Sequence, residues 1–223
     1  MRFWGMVVFG VLGTAILLSL GIWQLQRLAW KQEVLRAIES KILAPAVEIP
    51  QTVLPDAHSL LPVRAEGRYK GDTVRVLVSQ KIYGAGYRLI TAFELVDGRT
   101  IMLDRGFTSV RLEMPSTPEG RGQVIGNLQW PQEIDSFTPE NDLATNIWFA
   151  RDVARLADHL KAEPVLLVLR DSSFETEAAT PLPKMTANIP NDHMNYAITW
   201  FSLALIWLGM SGYFLYRSRD PQS

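Results

Sequence analysis

No cysteine occurs anywhere in the 223 residues. That excludes disulfides, thiolate zinc sites, iron–sulfur ligation and thiol catalysis together. It leaves an oxidising compartment open without arguing for one. Histidine is nearly as scarce: His58, His159 and His193 are the whole set, and no two stand at the HxxxH-type spacing of a zinc site. Charge of one sign is not in excess either. Twenty-two Lys and Arg against 23 Asp and Glu give a net charge of −1. Neither the basic surface of a nucleic-acid binder nor the acidic bias of a disordered chain is present. Gly84-Ala85-Gly86 lacks the rest of a dinucleotide fingerprint. There is no P-loop and no GxSxG, and the carboxylates form no visible pair. Nothing specific supports catalysis, and the chain is expected not to be an enzyme.

Charge is missing locally in two places, and these are the strongest signals present. Phe3 to Trp23 and Met194 to Tyr216 contain no charged residue. At about 1.5 Å per helical residue, either run spans the hydrocarbon core of roughly 30 Å. The first run is longer than a signal-peptide core and is followed by Gly21-Ile22-Trp23-Gln24-Leu25-Gln26-Arg27 rather than a small-x-small cleavage site. An uncleaved anchor is therefore expected. Trp4 and Trp23 flank the first run, and Tyr213 and Tyr216 close the second, as headgroup-level aromatics do. Gly5, Gly10, Gly13 and Gly21, with Gly209 and Gly212, permit close approach of a partner helix.

Two spans put both termini on one side. Arg2, Arg217 and Arg219 lie on the terminal side, and Arg27, Lys31, Arg36 and Lys41 on the other. This count does not decide the orientation. Long loops translocate largely regardless of charge, so the termini are expected in the cytoplasm and the domain outside it.

Past the first span, Gln24, Arg27 and Lys31 share one helical face, while Leu25, Leu28 and Leu35 mark an apolar one. The helix should run to about Leu43, where Pro45 and Pro50 stop it, and Pro45 to Pro62 reads as an extended connector. Short strands follow. Val63–Tyr69 and Val74–Val78 are separated by a Lys70-Gly71-Asp72 turn signal. Tyr87–Leu95 and Thr100–Asp104 are joined by an Asp97-Gly98 hairpin turn. Glu113 to Gly122 reads as a loop, Val124–Trp130 as a strand, and Thr145–Ala150 as a further candidate. Asp152–Lys161 is an amphipathic helix with Val153, Leu156 and Leu160 on one face. Val165–Leu169 is a continuous apolar strand, and Ala178 to Pro190 a proline-bearing loop.

The expected fold is that of an α+β membrane protein. A transmembrane hairpin of N- and C-terminal helices encloses a soluble, antiparallel, β-rich domain, barrel-like or a sandwich, with one short helix. The domain boundaries are residues 1–43 for the first helix and its extension, 44–190 for the β-rich domain, and 191–223 for the second helix and tail.

His193 stands at the mouth of the second span, after Pro190-Asn191-Asp192. Two readings fit it. In one, Asn191 or Asp192 caps the helix while His193 reaches into the headgroups; spacing alone favours this. In the other, His193, Tyr196, Ala197 and Trp200 share a face at i, i+3, i+4 and i+7. They then offer a neutral imidazole on an apolar aromatic wall, as an axial heme ligand requires. Arg27 and Lys31 lie at similar depth and could pair propionates or, on composition alone, lipid phosphates.

Several segments together resemble a known family. The first helix leaves the span as Gly21-Ile22-Trp23-Gln24-Leu25-Gln26-Arg27-Leu28-Ala29-Trp30-Lys31. The second begins Asn191-Asp192-His193-Met194-Asn195-Tyr196-Ala197-Ile198-Thr199-Trp200-Phe201. Between them stand Leu103-Asp104-Arg105-Gly106-Phe107, Phe137-Thr138-Pro139-Glu140-Asn141-Asp142 and Ile147-Trp148-Phe149-Ala150-Arg151-Asp152. In this order they resemble the Surfeit locus family of cytochrome c oxidase assembly proteins over nearly the whole chain. Asp104 stands where that family often carries Asn.

The resemblance implies a role in building heme-a-type oxidases, with transient handling of heme a on its way to the oxidase catalytic subunit. It points to His193 as the metal ligand, and the spacing reading above adds Tyr196, Trp200, Arg27 and Lys31 as candidates around the cofactor. The implied partners are that catalytic subunit, a heme a synthase and membrane lipid, with no nucleic acid. The alternative is a structural membrane chaperone that holds an oxidase subunit or the synthase without ligating heme. The N-terminus lacks an Arg/Ser-rich transit segment, which favours a bacterial inner-membrane protein with a periplasmic domain.

Overall fold

The computed structural model describes residues 2–81, 83–175, 179–183 and 189–218. Arg219, the side chain of Arg2, and residues 178 and 184–188 of the expected Ala178–Pro190 loop lie outside the described residues. The chain divides into two compact units. One comprises Met1–Glu39 with Thr186–Ser223, and the other is Ser40–Met185.

The first unit holds two helices. Helix α1 (Arg2–Ile42) has 41 residues, a length of roughly 60 Å, and its apolar run occupies only the N-terminal half. The polar remainder continues without a break and stops at Ile42, before Pro45. Helix α4 covers His193–Arg217. Both are long and apolar enough to cross a membrane.

Their contact is a narrow stripe built from small residues. A Cβ on Gly13 would lie 2.4 Å from the indole nitrogen of Trp207, and one on Gly21 2.7 Å from the ring of Phe201. Gly10 faces Ser211, and its carbonyl accepts the Trp207 Nε1–H at 3.2 Å. Three of the six candidate glycines therefore make the contact. A Cβ on Gly5, Gly209 or Gly212 would meet nothing within 4 Å.

In the second unit, strands β1 (Val47–Glu48) to β7 (Leu166–Ser172) form one sheet. Five strands close it: β2 (Pro62–Gln80), β3 (Gly84–Leu95), β4 (Thr100–Ser109), β7 and β5 (Gly122–Gln129), with β5 returning to β2. Closure depends on the 19-residue β2, whose first part pairs β5 while the rest pairs β3.

The turn expected at Lys70-Gly71-Asp72 is instead a bulge within this strand. The register steps from Lys70↔Ala92 to Thr73↔Thr91, and Gly71 takes φ +73°. A glycine can absorb that distortion without ending the ladder. The pairing is also not wholly antiparallel. Strand β7 runs parallel to β4, and β1 and β6 (Ile147–Trp148) run parallel to β2. The connector from Pro45 to Pro62 carries β1 and a short helix α2 (Pro55–His58) that composition did not reveal.

The apolar run at β7 follows from a two-sided core. Val165, Leu167 and Leu169 join Val63, Phe93, Ile101, Leu103 and Leu128 in a cluster drawn from all five barrel strands, which is the barrel interior. Leu166 and Val168 point the other way, onto Val153, Leu156 and Ala157 of helix α3 (Val153–Leu160). A strand buried on both faces loses its alternation. Helix α3 matches its sequence signal: the Asp152 carboxylate caps it, accepting from the N–H groups of Ala154 and Arg155.

Candidate functional site

Where the apolar run of α1 ends, its inward face reads Gly21, Gln24, Leu28 and Lys31. Gln24 and Leu28 are buried and Lys31 is half-buried. The apolar and polar faces expected from sequence are thus not separate. Leu28 and Leu35 sit among Gln24 and Lys31, while Leu25 and Arg27 turn outward. On α4 the inward positions are His193, Ala197, Trp200 and Ala204, at alternating spacings of four, three and four.

His193 is the first residue of α4 and is half-buried. Its Nδ1 lies 2.8 Å from Oε1 of Gln24. Beside it, the Lys31 ammonium donates to the Pro190 carbonyl. Gln24, Lys31, Pro190 and His193 therefore form one polar cluster inside the helical unit.

The capping geometry expected from sequence is not adopted. Asp192 makes no side-chain cap hydrogen bond. The buried Oδ1 of Asn191 has no partner among the described residues. The remaining sequence candidates divide. Trp200 is half-buried on the His193 face. Tyr196 is 57% exposed and turns away. Arg27 is exposed and lies over the Trp30 ring at 4.1 Å, a cation–π contact. Gln24, missed as a partner of His193, was legible only as a residue of the WQxxR segment, since a contact spanning 169 positions leaves no local periodic trace. Among the described residues, no group of three or more His, Asp or Glu side chains is placed to hold a bare ion.

The β-barrel unit contains a separate charged cluster. Asp104 is fully buried on β4. It accepts from Arg88 Nε at 2.7 Å, from Arg151 Nη1 at 3.3 Å and from the Gly106 N–H at 3.1 Å. Arg151 also chelates Glu133 through Nε at 3.0 Å and through Nη2. Arg88 reaches the Leu182 carbonyl at 2.9 Å. Burial alone would raise the Glu133 carboxyl, but the Arg151 hydrogen bonds and charge hold it below the usual range. Two cations and two anions thus tie β3, β4, the loop after β5, the start of α3 and the segment at Leu182 together. Gly106, at φ +113°, lets that segment approach; a Cβ there would lie 2.1 Å from the Thr180 carbonyl oxygen. Two sequence segments far apart in the chain, Leu103–Phe107 and Ile147–Asp152, meet at the Asp104–Arg151 pair.

Comparison with known proteins places the chain in a family. The sequence profile of the SURF1 family matches residues 11–205. A SURF1-like protein of Rickettsia prowazekii is 30% identical over 225 residues, covering 94% of this chain and 88% of its own. A SURF1-like protein of Rickettsia felis is 27% identical, covering 85% and 88%. Human Surfeit locus protein 1 is 29% identical over 212 residues, covering 83% and 69%. The match runs from inside α1, through the barrel, to the middle of α4, and the chain belongs to the SURF1 family.

Proposed function

We propose that this chain is a membrane-anchored, non-enzymatic assembly factor for heme-a-type cytochrome c oxidase. Both terminal helices span the bacterial inner membrane, the termini are cytoplasmic and the barrel is periplasmic. The chain holds heme a transiently before it reaches the oxidase catalytic subunit, with a heme a synthase as the upstream partner. Family membership supports the assembly role. The apolar lengths of α1 and α4 support the membrane anchoring.

The observation that carries the heme reading is the state of His193. Its Nδ1 is engaged by Gln24, and Nε2 has no hydrogen-bond partner among the described residues. A neutral imidazole with one anchored and one available nitrogen fits an axial ligand. Trp200 supplies an aromatic neighbour on the same face, and Lys31 and Arg27 supply cations for propionates. Heme a, when bound, is cargo whose oxygen chemistry belongs to the oxidase, and His193 need only hold its iron.

The deciding experiment is purification of the full chain from cells that make heme a, followed by visible spectroscopy. Wild type, His58→Ala and His159→Ala should show the same Soret band, because both control histidines lie in the barrel unit. His193→Ala should lose or grossly alter the band while still inserting. An unchanged band in His193→Ala would remove the ligand assignment and favour a chaperone that holds its partner through the helices alone.

A further inference from the structure

We infer that Gln24 is a positioning residue that fixes the tautomer and ring orientation of His193, so that Nε2 is the nitrogen presented to a ligand. This deepens, and rests on, the heme reading above. An amide oxygen only accepts hydrogen bonds. A hydrogen bond across the 2.8 Å between Gln24 Oε1 and His193 Nδ1 therefore places a proton on Nδ1, and in the neutral imidazole that leaves the lone pair on Nε2. The acceptor is well held. Gln24 is 9% exposed and lies one turn from Gly21, where the Phe201 ring sits too close to admit even a methyl group. The spacing of the two helices at this level is thus set by packing, and the amide and imidazole meet across it.

Neither Asn191 nor Asp192 caps the mouth of α4 through its side chain, and Gln24 is the side chain that hydrogen-bonds the ring among the described residues. An acceptor on the far nitrogen of a ligating imidazole also raises its basicity, and loss of such a partner commonly costs about 10–100-fold in affinity.

The test uses the full chain in detergent with 15N-labelled histidine. In the heme-free wild type, His193 should carry its proton on Nδ1. Gln24→Leu keeps the size and the helix but removes the acceptor. It should shift His193 towards a mixture of tautomers, and it should speed heme loss during purification by about 10–100-fold. Gln24→Glu retains an acceptor oxygen and should keep the Nδ1–H form, which separates the hydrogen bond from packing. An unchanged tautomer in Gln24→Leu would overturn the inference, as would equal heme retention in wild type and Gln24→Leu. A wild-type chain that carries no heme would refute the heme reading instead, and the tautomer measurement would still decide the role of Gln24.

Discussion

Asp104 shows how a single residue can hold a barrel together at a cost that appears only when it is removed. Its carboxylate has no solvent contact and lies between two guanidinium groups. Asp104→Ala leaves Arg88 and Arg151 facing each other with only Glu133 in compensation, and breaking a buried pair in this way commonly costs about 3–5 kcal/mol. The expected result is a large fall in the thermal midpoint of the full chain, with Asp104→Asn, which keeps an acceptor, falling less. Glu133 gives the same cluster an acid limit. Its folded pKa lies below the ordinary value near 4.5. Its contribution is therefore complete above that value and is lost as the pH falls through the folded pKa. Melting curves should show stability falling below about pH 4.5, and Glu133→Gln should flatten that part of the fall. At the helical unit, Arg27→Ala should weaken heme retention, with Arg27→Lys restoring part of it, because lysine lacks the planar fork. Equal retention in all three proteins would assign Arg27 to lipid phosphates and the Trp30 face. His193 was legible as a candidate because it is one of three histidines and stands at a span boundary. Its partner was not, because a contact between opposite ends of the chain has no signature in local spacing.

At the scale of elements, α1, α3, α4 and most strands follow from local pattern. The uncharged runs give α1 and α4, Asp152 and the 153/156/160 stripe give α3, and Asp97-Gly98 gives the β3–β4 hairpin. Two features were hidden for physical reasons. A bulge and a turn use the same residues, and only pairing with β3 decides that Gly71 bends β2 rather than ending it. Likewise, five consecutive apolar residues at Val165–Leu169 state burial on both sides but not the direction of the neighbouring strand.

The stripe between α1 and α4 offers a direct test. The Cβ position of Gly10 would lie 3.1 Å from Cβ of Ser211, near the separation of about 3.5–4.5 Å that a disulfide bridges. The natural chain has no cysteine. Gly10→Cys combined with Ser211→Cys should therefore form an internal cross-link on oxidation, visible as a mobility change without reductant. The pair Gly5→Cys and Ser211→Cys should not. Gly13→Leu should abolish the first cross-link by forcing Trp207 out of the stripe.

For the whole molecule, α1 and α4 are each long and apolar enough to cross a membrane, and if both do, as proposed above, the residues between them and the termini lie on opposite sides of it. Reporter fusions at Pro118 and directly after Arg217 should report opposite compartments, and matching signals would contradict the two-span reading. The closed barrel also carries a consequence for biosynthesis. Strand β2 begins at Pro62, yet its partner β5 starts at Gly122, and β7, which seals the ring between β4 and β5, ends only at Ser172. Until that last strand has left the ribosome, β4 and β5 present unsatisfied backbone edges of the kind that recruit foreign strands. Pairings this distant in the chain also form slowly. Only some twenty residues then separate Ser172 from the start of α4 at His193. A nascent chain halted before Leu166 should be readily degraded and aggregation-prone, whereas one released after Leu182 should resist protease. Ring closure and the emergence of α4 thus fall within seconds of each other during translation, at about 5–20 residues per second.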